Sequence, residues 1–180
     1  MGKHYLNPLF APKSVAVFGA SDRPDSVGQI VFSNMLGSGF QGELYPLNPK
    51  NPVVQGKRAY ATIADIGEPV ELAVIATPPQ TVPGIIESCG IHGVKAAVII
   101  TAGFGEAGAT GAALEKELLE TARRYNIRLI GPNCLGIMRP SIGLNATFNK
   151  GGANTGNIAF VSQSGALCTA ILDWAQSNDV

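Results

Sequence analysis

The sequence predicts an α/β protein built on a Rossmann-like, doubly wound parallel sheet. Five short apolar segments lack the polar alternation of half-buried strands, which indicates strands covered on both faces, as in a parallel sheet. Segments with helical periodicity lie between them. Consecutive strands are therefore expected to be joined by helical crossovers, which are right-handed in parallel sheets.

The predicted strands and helices alternate along the chain. Strands are expected at 14–19, 42–48, 71–77, 95–101 and 128–131. Helices are expected at 29–36, 80–88 and 111–126, with a weaker helical turn at 62–66. The helix at 111–126 is the most regular, because Leu118 and Ala122 share its apolar face while Glu115 and Arg123 lie on the side facing water.

Composition and charge exclude several classes of protein. With 46% hydrophobic and 14% charged residues, the 180-residue chain is expected to fold rather than to be disordered. Thirteen basic and thirteen acidic residues cancel, so nucleic acid and anionic membranes are not expected partners. The longest apolar run, "AAVII", is far shorter than the roughly 20 residues of a membrane span, and the amino terminus lacks a signal-peptide pattern.

The cysteines predict a reducing, cytoplasmic setting. Cys89, Cys134 and Cys168 are odd in number, and none of them lies in a Cys-x-x-Cys or other metal-ligand spacing. Neither a disulfide framework nor a metal site is therefore expected.

The loop after the first predicted strand, "GAS" at 19–21, is a candidate phosphate site. Gly19 allows a tight turn, Ser21 offers a hydroxyl, and the following helix presents free N–H groups to an anion. A turn glycine followed by a helix-capping serine would use the same residues. The next glycine is Gly28, so the Gly-x-Gly-x-x-Gly pattern of dinucleotide-binding proteins is absent.

The second predicted strand ends in "NPKN" at 48–51, without the acidic residue that binds the ribose of NAD. Lys50 suits a phosphate instead, although a solvated surface lysine is the simpler interpretation. A phosphate-rich ligand other than NAD is thus favoured, and NADP remains an alternative because its 2′-phosphate also suits Lys50.

Three further loops follow predicted strands: "TPP" at 77–79, "TAGFGEAG" at 101–108 and "GPNCLG" at 131–136. The prolines alone explain the first as a turn, and the second is either a ligand-wrapping or a plain flexible loop. The third brings Asn133 and Cys134 to the sheet edge. Cys134 is not expected to be a nucleophile, because no histidine follows His92, which is itself predicted to cap a helix at its carboxyl end.

In this order, "GAS", "NPK", "TPP", "GPNCLG" and "FVSQSG" (160–165) resemble the CoA-binding amino-terminal region of the NDP-forming acyl-CoA synthetases. This superfamily includes the α subunit of succinyl-CoA synthetase. "GLNATF" (143–148) and "SQSGALCTAILDWAQ" (162–176) are most similar to ADP-forming acetyl-CoA synthetases and to the related bacterial protein lysine acetyltransferases.

The resemblance implies a CoA site made of five strand-end segments. Gly19, Ala20 and Ser21 match the loop that contacts the CoA phosphates, and Lys50 matches the basic residue at the nucleotide end. Residues packing against adenosine and pantetheine are Ala76, Thr77 and Pro78. A further loop contains Thr101, Ala102 and Gly103, with Ala102 where succinyl-CoA synthetase has a glutamate. Asn133 and Cys134 match the turn near the thiol end of CoA.

The tail repeats the opening strand–turn–helix order. After "KGGANTGN" (150–157), a strand is predicted at 158–162 and a helix at 166–178, with Ser162, Ser164 and Gly165 as a second phosphate site. The expected organisation is a CoA-binding domain at 1–150 and the beginning of a second, truncated flavodoxin-like domain at 151–180. The apolar stripe containing Ala170 and Trp174 reads as a core face, which predicts packing of the tail on the first domain or association between chains.

Three functions are consistent with these features. The first is the CoA-binding domain of an ADP-forming acyl-CoA synthetase, which interconverts acyl-CoA, ADP and phosphate with acid, CoA and ATP. The resemblance implies an ATP-grasp partner and a phosphohistidine that neither His4 nor His92 matches, so the fragment alone is expected to be inactive. The second is an acyl-CoA-sensing region of a lysine acetyltransferase. The third, an NADP-binding oxidoreductase, lacks the glycine pattern and a Tyr-x-x-x-Lys pair.

Overall fold

A computed structural model describes residues 4–178, so residues 1–3 and 179–180 of the predicted domains lie outside the described residues. In chain order the strands are β1 Ser14–Phe18, β2 Glu43–Leu47, β3 Val53–Val54, β4 Lys57–Arg58, β5 Leu72–Ile75, β6 Ala96–Ile99, β7 Arg128–Ile130, β8 Gly136–Arg139 and β9 Leu144–Thr147. The α-helices are α1 Asn7–Phe10, α2 Val27–Gly37, α3 Val82–Ile91, α4 Ala109–Arg124 and α5 Gly165–Ser177. Short 3₁₀ helices lie at Ile63–Ile66, Pro79–Thr81, Gly105–Ala107 and Pro140–Ile142.

Five strands form one parallel sheet in the order β2-β1-β5-β6-β7. Every residue of β1, β5 and β6 is buried, because helices cover both faces of the sheet. The predicted Rossmann-like, doubly wound fold is confirmed, and all five predicted strands belong to this sheet. The order places the ends of β1, β5, β6 and β7 side by side, so their loops form one edge.

Two hydrophobic cores separate the helices into layers. On one face, Phe18 and Ile99 pack with Ile86 of α3 and Leu118 of α4. On the other face, Val17 and Val74 pack with Phe32 of α2 and with Leu144 and Ala146 of β9. The second core fixes α2 against β1, which determines where the amino end of α2 meets the loop after β1.

Two antiparallel hairpins, β3–β4 and β8–β9, add to the predicted elements. His92 caps α3 as predicted, and its Nδ1 lies 2.8 Å from the Ser88 carbonyl oxygen. The strand predicted at 158–162 is wrong: residues 158–162 contain no strand in the structure. A segment forms a β-strand only when its backbone is hydrogen-bonded to a neighbouring strand. No described segment pairs with 158–162 in this way.

Candidate functional site

The carboxyl ends of β5, β6 and β7 border a cavity of about 660 Å³. Seven of the predicted site residues line it: Ala76, Thr77, Thr101, Ala102, Asn133, Cys134 and Gly165. Sequence reasoning did not single out Val27, Leu135, Phe148 or Gln163, which also line it. Their backbone positions depend on how α2, β9 and the tail fold over the sheet edge, which no local pattern reports.

Eight predicted residues lie outside the lining of this cavity: Gly19, Ala20, Ser21, Lys50, Pro78, Gly103, Ser162 and Ser164. Among them, Gly19, Pro78 and Gly103 remain near it, since they lie in loops that follow adjacent strands of the sheet. The structure therefore brings the predicted loops to one edge while dividing their residues between the cavity and its surroundings.

Gly19 makes the closest contact between two of these loops. Its φ of +85° is strained for any other residue, and a Cβ at this position would lie 2.5 Å from the Ala76 carbonyl oxygen. The Ala76 N–H donates to the Phe18 carbonyl at 2.9 Å. The loop after β1 therefore packs backbone to backbone on the loop after β5, and only glycine allows this approach.

The amino end of α2 differs from the sequence prediction. The helix begins at Val27, two residues before the predicted start, and its cap is Ser26, whose Oγ accepts from the Gln29 N–H at 3.3 Å. Ser21 is not the cap; its Oγ accepts from the Arg23 N–H at 3.0 Å within the loop. The N–H groups of Val27 and Gly28 donate to no other described residue, and Val27 is exposed at the cavity whereas Gly28 is buried.

Gly28 allows α2 to pack closely on the loop after β1, although the Gly-x-Gly-x-x-Gly pattern is absent. A Cβ on Gly28 would fall on the Gly19 carbonyl, so the first turn of α2 rests directly on the loop after β1. The last glycine of the dinucleotide pattern provides the same close packing of helix on strand. Here the loop is longer, and the glycine that allows this packing lies nine positions after Gly19.

Asn48 joins the loop after β2 to the loop after β1. Its Nδ2 donates to the Ala20 carbonyl at 2.9 Å, and its Oδ1 accepts from the N–H groups of Lys50 and Asn51 at 2.9 and 3.0 Å. The position of the Lys50 backbone is therefore fixed relative to 19–21, while its side chain is exposed. The "NPK" motif by itself does not indicate this role of Asn48, because the contact with Ala20 depends on the fold.

A chain of hydrogen bonds aligns the remaining loops. Thr101 donates from its Oγ1 to the Thr77 carbonyl at 2.8 Å, and its own carbonyl accepts from the Asn133 N–H at 3.0 Å. Asn133 follows a cis Gly131–Pro132 bond and has a φ of +54°. The cavity wall is thus built from backbone segments that are already joined to one another before any ligand binds.

Cys134 is a partly buried, protonated thiol at this wall. Its Sγ–H donates to the Ile99 carbonyl at 3.3 Å, and burial raises the pKa of the thiol to about 11. Because the thiolate is the reactive form, Cys134 is a poor nucleophile near neutral pH. This agrees with the prediction that Cys134 is not a nucleophile.

The glycine-rich loop at 101–108 is held by two carboxylates rather than being plainly flexible. Glu106 accepts from the Gly103 N–H at 2.6 Å, and this hydrogen bond lowers the pKa of the Glu106 carboxyl. Glu115 accepts from the Gly105 N–H at 2.9 Å. The prediction that Glu115 faces only water is therefore wrong, since this half-buried residue on α4 anchors the loop.

In the tail, Ser164 caps α5 by accepting from the Leu167 N–H at 3.3 Å, and Ser162 accepts from the Ser164 N–H at 3.0 Å. Two of the three predicted phosphate contacts, Ser162 and Ser164, are thus engaged in local hydrogen bonds. No residue of α5 is buried, and Trp174 is 58% exposed. The stripe read as a core face is uncovered among the described residues.

A second cavity of about 510 Å³ lies at the opposite edge of the sheet, beside the amino ends of β1, β6 and β7. Lys13, Lys95 and Arg128 line it, together with Glu71. None of the predicted site residues is there, so the two edges are competing places for an anionic ligand.

None of the helices within 4–178 has the length and apolarity needed to cross a bilayer.

The fold and the carboxyl-edge loops define an α/β domain of the Rossmann-like class whose candidate site faces the ends of its parallel strands. The chain belongs to the family described as CoA binding domain, since residues 13–140 match the profile of that family.

Relatives and solved structures agree with this assignment. The chain is 46% identical to acetate–CoA ligase (ADP-forming) I of Archaeoglobus fulgidus, over 97% of this chain and 25% of that protein. It is 42% identical to the α subunit of acetate–CoA ligase (ADP-forming) I of Pyrococcus furiosus, over 94% and 37%. A solved structure of the dinucleotide-forming acetyl-coenzyme A synthetase 1 of Ca. Korarchaeum cryptofilum, in complex with phosphate and ADP, matches at a TM-score of 0.90 and 42% identity, over 94% of this chain and 36% of that chain. The chain thus spans between a quarter and two fifths of these proteins.

Proposed function

We propose that this chain is the CoA-binding part of an ADP-forming acyl-CoA synthetase, acting in the cytoplasm. The observation that carries the proposal is that the family match coincides with a preformed cavity at the carboxyl edge of the sheet, where the predicted CoA loops meet. CoA is a substrate in this proposal. The complete reaction converts acyl-CoA, phosphate and ADP into the free acid, CoA and ATP, with an ATP-grasp domain or subunit as partner.

The site residues fit the parts of CoA in a definite order. The 19–21 loop, the free N–H groups of Val27 and Gly28, and Lys50 bind the phosphates. Thr77, Thr101 and Ala102, which line the cavity, contact the pantetheine arm. Asn133 and Cys134 lie at its end, near the thiol, where a neutral Cys134 offers packing without charge.

Lys50 separates CoA from NAD in this proposal. CoA has a 3′-phosphate and requires no recognition of a ribose diol, so an amide and a lysine at the end of β2 suit it better than they suit NAD. NADP would also use Lys50, and it is the competing ligand to be tested.

The described histidines take no part in phosphoryl transfer. His92 is occupied as the α3 cap, and His4 lies before β1 at the amino edge. The phosphohistidine of the proposed reaction therefore lies outside this chain. The 162–165 segment at the start of α5 is proposed to hold the phosphate that attacks the thioester, and 151–180 is proposed to begin a second domain after the CoA-binding domain at 1–150.

Calorimetric titration of the 180-residue chain with CoA and with 3′-dephospho-CoA tests this proposal. CoA is expected to bind with a micromolar dissociation constant, about −8 kcal/mol. Dephospho-CoA should bind about tenfold more weakly, and Lys50→Ala should remove that difference because the lysine then has no charge to offer the 3′-phosphate. Absence of CoA binding would refute the function, whereas equal binding of both ligands to the unchanged chain would refute only the role of Lys50.

A further inference from the structure

Gln55 occupies an unfavourable backbone position at the tip of the β3–β4 hairpin. Gln55 and Gly56 form its two-residue turn, with φ values of +48° and +77°. Turns with positive φ at both positions favour Asn, Asp or Gly at the first of them. A strained residue that persists in such a turn points to a role for its side chain.

The side chain of Gln55 reaches across to the loop after β1 and the start of α2. Its Nε2 donates to the carbonyl oxygens of Ser21 and Gln29, both at 3.0 Å. Its Oε1 accepts from the Ser33 Oγ at 2.7 Å. Because both amide hydrogens point to carbonyl oxygens, which only accept, the orientation of the amide is determined by its partners.

A backbone contact adds to these three bonds. The Gln55 N–H donates to Asp22 Oδ1 at 2.8 Å, so the hairpin also holds the residue that follows the 19–21 loop. Gln55 is half-buried and thus partly withdrawn from water. One residue therefore contacts three positions along the loop and α2: Ser21, Asp22 and the Gln29–Ser33 turn.

This arrangement fixes which backbone groups the loop can offer to an anion. The Ser21 and Gln29 carbonyls, which would repel a phosphate, are both directed at the Gln55 amide. The N–H groups of Val27 and Gly28, which would attract one, are left free. Without Gln55, the Ser21 carbonyl would have to find another donor and the loop could turn it toward the ligand, whereas the Gln29 carbonyl stays directed along α2.

We propose that Gln55 is a positioning residue for phosphate recognition: by joining the Ser21 carbonyl of the loop to the Gln29 carbonyl of α2, it keeps the Ser21 carbonyl turned away from a phosphate-bearing ligand and leaves the N–H groups at the start of α2 directed at it. The inference rests on the proposed binding of CoA and extends it to a residue that does not itself touch the ligand.

Gln55→Asn tests whether Gln55 positions the loop after β1 or only forms the turn of the β3–β4 hairpin. Asparagine is favoured at the first position of the turn, which offsets the hydrogen bonds lost with the glutamine side chain, so the melting temperature is expected to stay close to that of the unchanged chain. Its side chain is one methylene shorter and cannot reach both carbonyls, so CoA affinity is expected to fall about tenfold. Gln41→Asn, at an exposed position before β2, is the matched control and should change neither property.

Gln55→Glu keeps the length of the side chain and removes its donors. An ionised carboxylate only accepts hydrogen bonds, so it would face the two carbonyls without a bond to either. CoA affinity should fall further than in Gln55→Asn. Calorimetry with CoA and thermal unfolding by circular dichroism, on all four chains, give both quantities.

The outcomes are distinguishable. If the unchanged chain does not bind CoA, the proposed function fails. If it binds CoA and both Gln55 variants bind within twofold of it, the positioning role is wrong while the function stands. If Gln55→Asn lowers the melting temperature as well as the CoA affinity, the proposal is also overturned. Gln55 would then act only by stabilising the fold.

Discussion

Gly28→Ala is expected to weaken CoA binding by about tenfold or more and to lower the free energy of unfolding by about 2 kcal/mol. The added Cβ would fall on the Gly19 carbonyl, and both clashing groups belong to the backbone. No side-chain rotation can relieve the contact, so the first turn of α2 has to move away from the loop after β1. That movement displaces the N–H groups of Val27 and Gly28 from the proposed phosphate site.

Gly37→Ala is the matched control, since Gly37 is the last residue of the same helix and a Cβ there meets nothing within 4 Å. It should stabilise the chain by up to about 1 kcal/mol, because alanine is the better helix former, and should leave CoA affinity unchanged. Urea unfolding and calorimetry measure both effects. If Gly28→Ala binds CoA as well as Gly37→Ala does, close packing of α2 on the loop is not required.

Asn34→Ala is expected to lower the free energy of unfolding by about 2 to 4 kcal/mol. The Nδ2 of Asn34, on α2, donates to the carbonyl oxygens of Thr147 and Asn149 at 2.8 Å each. Thr147 and Asn149 are buried, so the substitution leaves two carbonyls without their donor and with little access to water. The hydrogen bonds join α2 to the segment that leads from β9 to the tail.

The control for this substitution is Asn51→Ala, at an exposed position after β2 whose side chain makes no hydrogen bond to a described residue. Its unfolding free energy should stay within about 0.5 kcal/mol of the unchanged chain. A comparably small effect of Asn34→Ala in urea unfolding would show that α2 is held by the apolar core of Phe32 and Met35 alone.

The sheet and the edge that carries the site are predictable from the sequence for one physical reason. Strands such as 96–99 are buried on both faces, so they appear as unbroken apolar runs, and parallel strands end on a common side. The loops "GAS", "TPP" and "GPNCLG" could therefore be placed together without knowing any contact between them. Local capping was also predictable where one residue suffices, as at His92.

The contacts that shape the site could not be predicted in this way. Gly28, Asn48 and Gln55 act on backbone groups of the loop after β1 from separate elements. Each of them looks ordinary in its own segment: a glycine in a helix, an asparagine in a turn, a glutamine in a hairpin. Their importance depends on which backbone atom they approach after folding.

In the tail the error is the opposite one. The composition of 158–162 suggests a strand, but no described strand lies beside this segment to pair with it. Residues 158–162 have the apolar and β-branched composition of a strand, yet Ile158 is 82% and Val161 93% exposed. Composition predicts that a segment can form a strand, and a neighbouring strand is needed to make it one. The β8–β9 hairpin was missed for the reverse reason: Leu144–Thr147 is buried throughout, yet the polar residues Asn145 and Thr147 interrupt the apolar run by which the other buried strands were recognised.

The most direct test of the central claim, that the carboxyl edge of the sheet binds CoA, is a two-dimensional ¹H–¹⁵N NMR titration of the 180-residue chain with CoA and, separately, with NADPH. CoA is expected to shift the amide signals of Ala20, Gly28, Thr101 and Asn133, and NADPH at the same concentration is expected to leave them unchanged. Shifts produced by NADPH and not by CoA would contradict the claim. So would CoA-induced shifts confined to Lys13, Lys95 and Arg128, around the cavity at the opposite edge of the sheet.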